Sequence, residues 1–139
     1  MGKLTHTQVK AIDEWLKEYK NIERRITLRK FELQENNKRD LNASIKQVNN
    51  ISNTVESLVL KWDSDPKIKA LEHFKNAVIE TLKELDEEMK NIFVLRWQSN
   101  KRYTWDEIAE KHYISLASVY RRREAIASLF AENIGLFNS

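Results

Sequence analysis

Three consecutive arginines, Arg121, Arg122 and Arg123, sit inside the stretch IAEKHYISLASVYRRREAIASLF, residues 108–130. A guanidinium carries a rigid fork of donors that suits two kinds of acceptor: the paired acceptors on a guanine edge, or the oxygens of a phosphate. Successive residues of a helix point about 100° apart, so the three cannot share one task. With Val119 as the buried direction, Ile126 and Phe130 fall within roughly 20° of it, Arg123 about 40° to one side and Arg122 about 60° to the other. Arg121 lies roughly 160° away, fully outward. Ala117 and Glu124 share that outward face, with Tyr120 and Ser118 at its two edges. The spacing therefore predicts a base-reading group of Ala117, Ser118, Tyr120 and Arg121. Arg122 and Arg123 emerge at the flanks, where alkyl stems cover core edges and guanidinium groups reach phosphate. The blander reading of such a basic run is a solvated charged face.

These side chains need a frame. Thr104-Trp105-Asp106-Glu107 forms a capping box, with the threonine hydroxyl serving the third helical N–H and Glu107 reaching back. It opens a short helix, Trp105 to His112. Tyr113 and Ile114 make a turn, Ser115 caps again, and a last helix runs from Leu116 to about Asn133, stopped by Gly135. Two capped helices in tandem make a helix-turn-helix at 104–133. Ile108, Ala109, Ile114 and Val119 must meet in its small core, with Ala109 small because the helices cross closely. Lys101, Arg102, Thr104 and Ser115 stand where exposed helix starts attract anions, and join the expected phosphate contacts. Trp105 is read as partly buried, within reach of a DNA backbone or at the core edge.

Upstream, Val9, Ile12, Leu16, Tyr19, Ile26 and Leu33 predict one long amphipathic helix from Thr7, its cap, to about Glu35. Such a helix is able to pair with a second copy, to pack on its own domain, or to stand as a solvated arm. Six asparagines between Asn36 and Asn53 predict a linker. A short helix is expected from Val55 to Trp62. Asp65 then caps a helix from Pro66 to about Leu85, and Asp86-Glu87-Glu88 opens another to about Gln98. The division expected is an N-terminal helix and linker over 1–53, as a dimerisation or partner-binding arm, and a helical DNA-binding domain over 54–139.

Composition narrows the class. With 41% hydrophobic residues the chain can bury a core, and only two glycines and one proline favour an all-α fold over strands. The net charge of +3 says little, but residues 101–123 hold six Lys/Arg against three Asp/Glu, so any affinity for DNA is local. No cysteine is present, which removes thiolate chemistry, disulfides and Cys-based zinc sites. His6, His73 and His112 show no metal-ligand spacing, and no Gly-rich phosphate loop exists. Neither catalysis, nor a cofactor, nor a metal is expected. The absence of a long apolar run points away from a membrane and toward the cytoplasm.

Taken together, LKELDEEMKNIFVLRW, DEIAEKHYIS, SVYRR and the GLF tail resemble the region-4 helix-turn-helix of sigma factors. More closely, residues 66–137 are similar to the ArpU/RinA-type phage regulators that activate late packaging and structural genes. Members commonly have Gly where Tyr113 stands, Leu where His112 stands and another residue at Arg122. The resemblance implies a sequence-specific double-stranded DNA-binding activator in a bacterial host cell, acting near a promoter, with RNA polymerase as a candidate partner. Two other readings stay open: a small helical DNA-packaging component such as a terminase small subunit, and a purely protein-binding helical module.

Overall fold

The computed structural model describes residues 3–43 and 51–137, and no strand occurs among them. The fold is all-α. Helix α1 spans His6–Leu16, a 3-10 turn spans Lys17–Asn21, and α2 spans Ile22–Ala43. Then come α3 (Ile51–Ser64), α4 (Pro66–Glu84), α5 (Glu87–Phe93) with a wide π turn over Val94–Gln98, α6 (Trp105–His112) and α7 (Leu116–Ile134).

The chain divides into two compact units: residues 1–21 with 74–139, and residues 22–73. The expected boundary after residue 53 is therefore not where the units part. Helix α1 belongs to the same unit as α6 and α7 instead of forming an arm with α2.

In the first unit, Thr5 caps α1 through a box with Gln8, in which the Thr5 hydroxyl accepts from the Gln8 N–H at 3.1 Å. The cap expected at Thr7 is corrected on chemical grounds: its third following residue is Lys10, which has no oxygen to return the bond. Leu4, Val9, Ile12 and Leu16 are buried, as are Phe74, Val78, Ile92, Phe93, Ile108, Val119, Ile126 and Phe130. Aromatic rings knit this core. Trp15 stacks on Phe74 at 5.4 Å and meets Phe130 edge-on at 5.1 Å, while Phe93, Trp97 and Trp105 continue the chain of rings. Such pairs add about 0.5–1.5 kcal/mol each beyond area burial. Buried Thr81 donates to the Ala77 carbonyl and accepts from Asn133, so its hydroxyl is satisfied.

The long N-terminal helix is interrupted at the 3-10 turn. Apolar residues there step by three, Leu16 to Tyr19 to Ile22, which matches a three-residue turn better than the 3.6 of an α-helix. In α5 the chain widens to a π turn, and the Ser99 N–H reaches the Val94 carbonyl at 2.8 Å. The wide turn seats Trp97 in the core beside Phe93.

In the second unit, α2 and α3 pack against each other, with Arg29 bonded to Asp65 and Lys61 to Asn37, so the two helices run antiparallel. The Trp62 indole donates to the Lys30 carbonyl at 3.2 Å, and the Lys30 ammonium lies over the same ring. The linker expected over 36–53 is overturned in part: α2 continues to Ala43 and α3 begins at Ile51, while residues 44–50 lie outside the described residues. Asparagine is a poor helix former, but buried Asn37 gains a bond from Lys61 at 2.8 Å, and tertiary contact outweighs propensity.

Asp65 caps α4, accepting from the Ile68 N–H at 3.0 Å, and also takes two bonds from Arg29 at 2.9 and 2.8 Å. Those bonds hold its carboxyl at about 2, below the ordinary 3.8, and raise Arg29. A depressed carboxylate stabilises the fold fully above its unfolded value and loses that contribution as pH falls through the folded value. Asp65→Asn is expected to unfold at lower denaturant than wild type at neutral pH. The difference should shrink between pH 3.8 and 2, as read by denaturation midpoints.

Candidate functional site

The tandem helices form as their caps dictate. Thr104 accepts from the Glu107 N–H at 3.1 Å while Glu107 accepts from the Thr104 N–H at 3.2 Å. Helix α6 ends on Tyr113 in the left-handed region, φ 55°. The Ile114 N–H reaches back to the Ala109 carbonyl at 3.1 Å, closing a Schellman turn. Glycine normally holds this position because a Cβ there costs roughly 1–2 kcal/mol. Tyr113 packs on nothing in return, being 96% exposed. Of the four residues expected in this small core, Ile108, Ala109 and Val119 are buried where α6 packs on α7, while Ile114 in the turn is half-buried.

At the start of α7, Ser115 accepts from the Ser118 N–H at 3.1 Å and donates to the Ser118 hydroxyl at 2.9 Å. Arg121 in turn donates to that hydroxyl at 3.0 Å. A chain of two hydroxyls thus braces the outward guanidinium without neutralising it, and among the described residues no carboxylate pairs with it. Ala117, Tyr120 and Arg121 are exposed and Ser118 is half-buried, so the expected base-reading group shares one open face.

The phosphate group separates. Arg102 is exposed. Lys101 is exposed but pairs with Glu107 at 3.0 Å; Glu107 raises Lys101, and Lys101 is the first cause holding the Glu107 carboxyl below its ordinary range. The hydroxyls of Thr104 and Ser115 are engaged as caps on exposed residues. Arg122 turns sideways, bonding Glu88 of α5 and donating to the Ser118 carbonyl. Two assignments are corrected. Trp105 is only 8% exposed, its face covered by Arg96 at 4.7 Å and Arg123 at 5.5 Å. Arg123 keeps 12% of its side chain exposed and points to Asp13 at 3.4 Å, with its Nε buried and unpartnered. Neither presents itself to a phosphate.

Sequence reasoning missed Asp13. Its carboxylate is buried on α1 and accepts from Arg96 at 3.1 and 3.3 Å, from the Trp97 indole at 2.9 Å and from the Trp105 indole at 3.4 Å, beside Arg123. The signal was an acid set among Val9, Ile12 and Leu16 on an apolar stripe, which calls for a buried cation.

Among the described residues no group of three or more His, Asp or Glu is placed to hold a metal, and no helix is long and apolar enough to cross a membrane. A family model described as a protein of unknown function, DUF722, matches residues 8–132. Among curated proteins and among solved structures nothing matches the chain.

Removing one partner of a buried ion pair costs about 3–5 kcal/mol, because the other charge is left uncompensated. Asp13→Ala is expected to lose that order of stability in urea denaturation. Tyr113→Gly should gain about 1 kcal/mol by relieving the left-handed turn, read as a higher melting midpoint.

Proposed function

The chain belongs to the DUF722 family, and we propose that it is a sequence-specific double-stranded DNA-binding transcription regulator that inserts the first turns of α7 into the major groove. The single observation that carries this reading is the open face of Ala117, Ser118, Tyr120 and Arg121, on which Ser118 holds an unneutralised guanidinium. A braced fork is suited to the two acceptors of a guanine edge, worth about 1–3 kcal/mol of discrimination. Arg102, with Lys101 and the capped start of α6, contacts the phosphate backbone and sets register without reading sequence.

The finer reading follows the resemblance to ArpU/RinA-type regulators: activation of phage late genes at a promoter, with RNA polymerase as partner, in the bacterial cytoplasm. Two copies joined through the second unit would suit a two-part operator. Exposed Leu28 and Phe31 on α2 and Val55, Val59 and Leu60 on α3 support self-association. Larger ring-shaped assemblies in solution would favour a DNA-packaging role instead.

A binding site selected from randomised duplexes provides the test. Arg121→Ala should erase preference for that site and leave affinity for unrelated duplexes nearly unchanged. Arg102→Ala should weaken every duplex and lower the salt slope by about one. If no site is enriched, or if Arg121→Ala keeps full preference, the reading fails.

A further inference from the structure

We propose, resting on the DNA-binding reading above, that α1, with the segment before it and the 3-10 turn after it, is a second DNA-contacting element whose lysines meet phosphates beside α7. Lys10 lies on α1, Lys3 in the segment that leads into it, and Lys17 in the 3-10 turn that follows, seven residues or about two helical turns after Lys10 and so within roughly 20° of it. Lys20 lies in the same turn. Lys10 and Lys17 flank Asp13, whose carboxylate faces into the helix-turn-helix. These lysines therefore border the helix-turn-helix and do not lie on the far side of the unit.

Two clefts confirm that placement. One, of about 670 Å³, is lined by Lys3, His6 and Lys10 on one wall and by Tyr120 and Glu124 of α7 on the other. The second, of about 30 Å³, brings Lys17 and Lys20 against Ser99 and Arg102 in the loop that leads into α6. Helix α1 and the 3-10 turn after it thus reach the recognition face at one end and the α6 approach at the other. Lys3, Lys10 and Lys20 are exposed, and no carboxylate pairs with them among the described residues. The acids nearby are largely spent: Asp13 is consumed by Arg96 and Arg123, and Glu14 pairs with Lys17 at 2.5 Å. Glu124 is the acid that opposes the wider cleft.

From Lys10 to Lys17 the chain rises about 10 Å, the rise of about three base pairs of one strand. Cations before, on and after α1, bordering a face that carries Arg121, fit the negative charge of a duplex backbone. They carry no base-reading geometry, so their contribution is to affinity and orientation.

The test is fluorescence anisotropy with a short mixed-sequence duplex over a salt series. Each lost phosphate contact lowers the slope of log affinity against log salt by about 0.9. The triple variant Lys3→Ala, Lys10→Ala, Lys20→Ala is expected to flatten the slope by two to three. The corresponding triple change to Arg is expected to keep it. Wild-type slope and affinity in the alanine variant would overturn the role of α1 and leave the α7 reading standing. A flattened slope, with Arg121→Ala indifferent on a selected site, would support α1 and overturn α7 as the reader. Wild type binding no duplex at low salt would overturn both.

Discussion

One buried carboxylate organises the first unit. Asp13 on α1 bonds Arg96 and Trp97 in the π turn, the Trp105 indole at the start of α6 and Arg123 on α7. An isolated charge at such a site would be driven back to water or neutralised. Here a single anion lies between two guanidiniums, so the cluster keeps an excess of positive charge. Aromatic faces take up part of it: Arg96 and Arg123 lie over Trp105, and Arg123 also lies over Tyr120. The cluster holds only because nearly every member has a partner. The Arg123 Nε is the exception.

That constraint sets the rotation of α7 about its own axis. With Arg123 drawn inward to Asp13 and Arg122 sideways to Glu88, the 100° step of the helix leaves Arg121 facing out. Three identical side chains thus acquire three environments from position alone. The open face is rigid for local reasons as well. Capping at Thr104 and Ser115 satisfies amides at each helix start, the Schellman turn between them satisfies carbonyls at the end of α6, and together they fix the angle at which α7 leaves α6.

The helix-turn-helix was legible because its code is local. A capping box, a turn and a second serine lie within a dozen residues, and α6 runs from Trp105 to His112 as its spacing predicted. The open group at Ala117, Ser118, Tyr120 and Arg121 followed from angular arithmetic on one helix. What the residues at its flanks touch did not follow. Periodicity put Arg123 near the core edge but could not supply Asp13, which lies more than a hundred residues earlier in the chain. For Trp105 the spacing left a DNA backbone and the core edge both open, and what decides for the core is its cover by Arg96 and Arg123. In the second unit, asparagine content suggested a linker where Asn37 and Lys61 bond across two helices.

The same bonds have a kinetic side. The two unions between Asp13 and Trp97, and that between Asp13 and Trp105, join positions 84 and 92 residues apart. Loop-closure entropy must be met before such distant groups reward one another, which slows the search for the native topology. Synthesis runs from the N-terminus, so α1 leaves the ribosome well before Trp97, Trp105 and Arg123 exist. Its apolar stripe and Asp13 stay wet until the last third of the chain arrives, and the second unit, complete by then, is free to fold first.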